Sequence, residues 1–168
     1  MKTTILTGFY PTNIIKIMTA LLMVSFWILS QNAYAAGAPA RSSPTSSEKR
    51  EKSTVYFEKG LKLKKAGDYK EASKQYEKAV RADASYAEAW SNLGYTYRKQ
   101  GFFDKAVKAY KKAIELSPDL AEAHEYLGEA YAEMGKFDLA ENELKILREL
   151  GSNEADELEE FIAKSRTQ

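Results

Sequence analysis

Within the 168 residues there is one histidine, His124, and no cysteine. A thiolate nucleophile, a disulfide, a thiolate metal site and a lipid-bearing cysteine are excluded. A cluster of imidazoles for metal or acid–base work cannot be assembled. Three carboxylates, Glu122, Glu125 and Glu129, fall at i, i+3 and i+7, which places them on one helix face. Carboxylates on one straight helix cannot wrap a calcium ion, which takes about six to eight oxygens from several directions. They read as solvated surface. No glycine-rich phosphate loop, serine-centred elbow or His-Glu-x-x-His string occurs, so none of the corresponding chemistries is encoded. The expectation is no catalytic residue, no bound metal and no cofactor.

Charge narrows the field further. Lys plus Arg is 25 and Asp plus Glu is 24, a formal net charge of +1. A dedicated nucleic-acid binder carries a basic excess to neutralise phosphates, so a nucleic-acid partner is not expected.

The residues that could bind sit on a repeating frame. Residues 87–120 align with 121–154 at a constant offset of 34. Ala87-Glu88-Ala89-Trp90 stands over Ala121-Glu122-Ala123-His124, Leu93-Gly94 over Leu127-Gly128, and Tyr97 over Tyr131. Gly101, Phe103, Asp104 and Ala106 stand over Gly135, Phe137, Asp138 and Ala140. One further step back, Gly60, Gly67, Tyr69, Ala72, Tyr76 and Ala79 occupy the matching columns. Three tandem units follow, at 53–86, 87–120 and 121–154.

A period of 34 with helix-compatible composition resembles the tetratricopeptide repeat. The middle unit carries Trp90, Leu93, Gly94 and Tyr97 on its first helix, then Ala106, Tyr110 and Ala113 on its second, then Pro118 in the turn. The resemblance covers residues 53–154. It implies an all-α fold, a superhelix of three helix-turn-helix units. Gly94 and Ala106 are read as small because two helices cross closely there, and Trp90, Tyr97 and Tyr110 as filling space between helices. Truncating Trp90 to alanine would cost about 3–5 kcal/mol. The first unit departs at Lys59, in the column of Leu93, and at Ala84, in the proline column. The third has Leu144 in the Tyr110 column and closes with Gly151-Ser152-Asn153. Residues 155–168 read as a capping helix with Ala155, Leu158, Phe161 and Ile162 on one face, started by Ser152 or Asn153. His124, in the Trp90 column, reads as a packed, hydrogen-bonded side chain.

In proteins similar to these, the first helices of successive units line a concave groove that takes a peptide or a helix. Carried over by column, the groove residues would be Phe57, Leu61, Lys64 and Lys65 from the first unit. The second would supply Ser91, Asn92, Tyr95, Arg98 and Lys99, and the third Glu122, Glu125, Tyr126, Glu129 and Glu133. The charge is polarised. Unit one carries 8 basic and 5 acidic residues, unit two 6 and 4, unit three 3 and 9, and the last helix 2 and 4. Charge of this kind orients a partner more than it adds affinity, which leaves Tyr95 and Tyr126 as the affinity residues. The carboxylate clamp of similar co-chaperones needs two lysines, two asparagines and an arginine. Its columns hold Phe57, Leu61, Asn92, Glu122 and Tyr126, so only Asn92 matches.

The N-terminus carries an address. Lys2 and Lys16 precede an apolar run from Ile17 to Leu29, and Ala33-Tyr34-Ala35 supplies the small residues of a cut after Ala35. This is the layout of a secretory signal peptide over residues 1–35. The run is shorter than the about 20 apolar residues needed to span hydrocarbon, so stable membrane insertion after cleavage is not expected; an uncleaved inner-membrane anchor is the alternative. Export without cysteine fits a bacterial periplasm, with secretion beyond the cell as the other destination. Residues 36–52, rich in Ala, Ser, Pro and Thr, read as a flexible linker whose charged end could extend the first helix. The expected function is an exported interaction scaffold that binds a protein or peptide in its groove. The alternative is a structural role through self-association into a homo-oligomer or as a membrane-tethered assembly factor.

Overall fold

The computed structural model describes residues 45–167, which form seven helices. The segment expected to be a signal peptide, 1–35, and the expected linker up to residue 44 lie outside the described residues.

Helix α1 runs Ser46–Lys65. Its start is a capping box. The Thr45 hydroxyl accepts from the Glu48 backbone N–H, and the Glu48 carboxylate accepts from the Thr45 N–H at 2.6 Å. Two of the unpaired donors at the helix start are thereby satisfied. The charged end of the expected linker extends the first helix: 46–52 is helical, started by Thr45-Ser46-Ser47-Glu48 inside a stretch that composition marks as irregular.

The remaining helices keep the sequence period. They are α2 Tyr69–Ala82, α3 Ala87–Lys99, α4 Phe103–Leu116, α5 Ala121–Glu133 and α6 Phe137–Leu150. Helices α3 and α5 begin and end 34 residues apart, as do α4 and α6. Each pair is joined by a tight turn. At Gly101 the turn needs φ +80°, a conformation that costs a residue with a Cβ but not glycine. Helix α7 closes the chain at Glu154–Ser165. Its N-cap, Asn153, makes no side-chain capping bond; the Ser152 hydroxyl instead bonds the Glu154 carboxylate.

The core lies where the two helices of a unit cross. Tyr110 of α4 is fully buried on Gly94 of α3, and a Cβ on that glycine would sit 2.6 Å from the ring. The first unit repeats this with Tyr76 on Gly60. The third cannot, since Leu144 replaces the tyrosine. There the fully buried Leu158 of α7 takes the place, and a Cβ on Gly128 would lie 2.5 Å from it. Helix α7 therefore supplies the side chain that α6 lacks, with Ala155 and Ile162 buried beside it.

Two single residues refine the sequence reading. His124 is buried, its Nδ1 2.7 Å from the Glu143 carboxylate and its Nε2 3.0 Å from the Pro118 carbonyl. Both partners are acceptors, so the doubly protonated ring satisfies both, and the bond to Glu143 raises its pKa. Trp90, in the same column, donates its Nε1 to the Ala84 carbonyl at 2.9 Å. Its ring is only half-buried, so truncation forfeits about 2 kcal/mol rather than the cost of an enclosed ring.

Candidate functional site

Helices α1, α3 and α5 present one continuous face, and the columns chosen from sequence fall on it in three distinct states. Lys65 and Lys99 are exposed, and Leu61, Lys64, Tyr95, Glu122, Tyr126 and Glu129 are half-buried. Phe57 is engaged in the packing of the first unit, with its ring centroid 4.9 Å from Tyr86 and 5.7 Å from Tyr76. Ser91 and Asn92 are buried.

An aromatic ladder crosses the middle of the face. Tyr69, from the start of α2, lies 6.1 Å from Tyr95; Tyr95 lies 5.1 Å from Tyr126; Tyr126 lies 6.1 Å from Tyr110. Tilted contacts at these separations contribute beyond area burial. Cations surround the ladder. Lys64 Nζ is 5.0 Å from the Tyr95 ring, Lys99 Nζ 5.7 Å and the Arg98 guanidinium 5.5 Å.

Arg98 differs from its reading as a free groove side chain. Only 5% of it is exposed. Its fork donates to Glu129 and, at 2.6 Å, to Glu133. The guanidinium also lies 5.9 Å from Tyr126 and 6.0 Å from Phe161 of α7. A planar, permanently charged fork is suited to this position between two carboxylates and aromatic faces. Arg98 holds α3, α5 and α7 together. Asn92 is similarly committed: its Oδ1 accepts from Lys64 at 2.6 Å and its Nδ2 donates to the Glu88 carbonyl at 2.9 Å.

The acidic end is the unbalanced part. Glu125 is 9% exposed. Burial raises its pKa to about 8, reinforced by the negative charges of Glu129, Glu157, Glu154 and Glu122. Glu122 and Glu129 are also raised by burial, against the opposing pull of Lys64 on the first and Arg98 on the second. Lys64 is lowered by burial, and the charge of Glu122 opposes that shift. The face thus runs from lysines on α1 and α3, across tyrosines, to crowded carboxylates on α5. Residues of α7 were not assigned to this site from sequence. Their amphipathic pattern signals a cap, yet nothing in it shows that Glu154, Glu157 and Phe161 reach the inner face of α5 and α3. Tyr69 was legible only as a repeat column.

Among the described residues no group of His, Cys, Asp and Glu is placed to hold a metal ion. No helix there is long and apolar enough to cross a membrane.

The family comparison now decides what the frame is. A model described as TPR repeat matches residues 60–101 and again 94–135. The repeats are tetratricopeptide repeats. Solved structures agree. The first tetratricopeptide domain of Spaghetti (RPAP3), bound to the HSP90 peptide SRMEEVD, is 27% identical with a TM-score of 0.63, covering 71% of this chain and 96% of that one. The tetratricopeptide domain of Arabidopsis OM64 shares the fold at 21% identity and TM-score 0.63, over 69% of this chain and 98% of that one. MamA is 29% identical with a TM-score of 0.54, over 67% of this chain and 61% of that one. No curated protein sequence matches significantly. The tetratricopeptide frame is a protein-interaction fold, and one neighbour holds a peptide.

Proposed function

We propose that this tetratricopeptide protein is an interaction scaffold of the cell envelope that binds a partner peptide or helix on the α1–α3–α5 face and performs no chemistry of its own. The observation that carries this is the ordering of that face: exposed Lys65 and Lys99, then half-buried Tyr95 and Tyr126, then Glu122 and Glu129. A partner would lay its acidic residues toward the lysines and its basic residues toward α5. The peptide seen on the Spaghetti domain is acidic at its end. Here Glu122 stands in a clamp column and Asn92 is already bonded to Lys64, which argues against capture of a terminal carboxylate.

The test is a comparative pull-down from envelope extract, with wild type and Lys65→Glu/Lys99→Glu as baits and mass spectrometry as readout. Both substitutions are on exposed side chains and leave the packing intact. A protein captured by wild type and lost by the variant supports the reading. The same proteins on both baits would remove this face from the interaction. Localisation has its own test: fractionation with N-terminal sequencing, where a mature chain beginning at Ala36 in the periplasm is the expected result.

A further inference from the structure

The acidic end of the face breaks a packing rule of the repeat. One column holds Phe57, Ser91 and Glu125, each a period apart, and another holds Tyr86, Leu120 and Glu154. In the first unit the two columns meet through an aromatic contact, Phe57 on Tyr86 with ring centroids 4.9 Å apart. In the third unit the same columns set Glu125 of α5 beside Glu154, the first residue of α7, and their negative charges act on each other. Packing favours an apolar pair at such a joint, and a pair of like charges costs stability. Chains depart from local consistency in this way at functional sites.

Glu125 is also unpartnered. It is 9% exposed, and among the described residues no donor or cation bonds its carboxylate. Four carboxylates surround it: half-buried Glu122 and Glu129 of α5, half-buried Glu154 and exposed Glu157 of α7. The nearby cations serve other members of the group. Arg98 donates to Glu129 and Glu133, and Lys99 also acts on Glu129. Lys64 of α1 acts on Glu122. Glu154 has the Ser152 hydroxyl. The next cation on that side of α7 is exposed Lys164, about 10 Å beyond Glu157 along the helix. Glu125, Glu154 and Glu157 are therefore left without a cation among the described residues. A buried carboxylate is costly alone and far less so when a positive group pairs and hydrogen-bonds with it.

We propose that this cluster is a subsite for one cationic side chain, a lysine or arginine of the protein segment that lies on the α1–α3–α5 face, with Glu125 as its buried counter-charge and Glu154 and Glu157 at the entrance. The inference rests on the reading of that face as the partner groove. It adds the register: the basic side chain reaches the α5–α7 joint while acidic residues of the same segment meet Lys65 and Lys99. Binding then moves a proton. In the free protein burial and the neighbouring carboxylates hold Glu125 protonated up to about pH 8. A cation beside it favours the charged form, so the proton leaves to solvent as the ion pair forms. Association strengthens as the pH rises toward about 8 and levels off above it. Glu122 and Glu129, raised by burial, add to that slope. Arg98 keeps its charge throughout, and the Tyr126 hydroxyl is raised well out of this range.

The experiment is fluorescence anisotropy of a labelled peptide, Ala-Arg-Ala-Arg-Ala with blocked ends, on the full chain at about pH 6 and about pH 9. Arginine keeps its charge at both. The same peptide with glutamine for arginine is the neutral control. The variants are Glu125→Gln and, as a match in charge, Asp138→Asn, which is exposed on α6; circular dichroism melts verify that both fold. Wild type should bind the arginine peptide, ignore the glutamine one, and bind at least about tenfold more tightly at the higher pH. Glu125→Gln should weaken binding there at least about tenfold and flatten the pH dependence, and Asp138→Asn should change it by less than about twofold. Equal losses in the two variants would reduce the attraction to diffuse charge and overturn the proposal. So would a wild type that binds neither peptide or both alike. The groove reading fails separately. Peptide binding through Glu125 beside a pull-down indifferent to Lys65→Glu/Lys99→Glu would keep the subsite and remove the groove. A partner lost with those lysines, beside peptide binding indifferent to Glu125, would do the reverse.

Discussion

Replacing Glu125 by glutamine should stabilise the protein at high pH and leave it unchanged at low pH. The carboxylate is buried on α5, and burial and four neighbouring carboxylates raise its pKa to about 8. In the unfolded chain it would titrate near its ordinary value of 4.5. The folded state therefore holds the proton more tightly. Its stabilisation is complete below about pH 4.5 and is lost as the pH rises toward about 8. At about 1.4 kcal/mol per pH unit, the rise corresponds to a ceiling of about 5 kcal/mol. Glu122 and Glu129 are raised as well, so the protons are shared and the gain assignable to position 125 is about 2 kcal/mol. Urea melts of wild type and Glu125→Gln at about pH 5 and about pH 9 measure it. The curves should agree at the lower pH, and the variant should lead by about 2 kcal/mol at the higher. His124 contributes in the same direction, being raised by Glu143, but it is common to both proteins and cancels. If the two proteins lose stability in parallel, the crowding of carboxylates between α5 and α7 is not what the argument requires.

Four further outcomes are expected. Gly94→Ala would drive a methyl to 2.6 Å from the Tyr110 ring and should lower stability by about 1–3 kcal/mol despite alanine's better helix propensity, read by denaturant midpoint. Leu158→Ala empties the seat on Gly128 and should cost about 2–5 kcal/mol, with hydrogen exchange accelerating first in α7. An NMR titration of His124 should show a midpoint above 6.5, and Glu143→Gln should bring it down, since burial then acts without the carboxylate's bond. Tyr95→Ala should weaken capture of the groove partner with less loss of stability than Tyr110→Ala, because Tyr95 is half-buried and Tyr110 fully so; binding and melting measured on both variants separate the effects.

How much of this was legible in sequence varies residue by residue. The three units show in the columns of Gly60, Gly94 and Gly128, because a repeated crossing demands the same small residue each time. The polarity of the tyrosine face also shows, because charge sums along the chain follow composition. The state of Arg98 does not. Its column marks it as facing the groove, yet its partners Glu129, Glu133 and Phe161 come from two other helices. Glu125 looked like a solvated surface carboxylate on an acidic helix. Only the docking of α7 takes it out of water and sets Glu154 and Glu157 against it. The start of α1 was legible in part: the charged end of the linker allowed an extended first helix, and the capping box at Thr45 and Glu48 sets where it begins.

Periodicity therefore determined the element order, the tetratricopeptide frame and which side chains share a helix face, since each depends on spacing along the chain. Tertiary structure decided which of those side chains remain free to bind. Lys65 and Lys99 stay in solvent, Asn92 and Arg98 are spent on internal bonds, and Leu158 fills the gap left by Leu144. Those outcomes depend on what lies opposite a residue in space, and the free energy of a charge or a ring is set by that neighbour far more than by its position in the repeat.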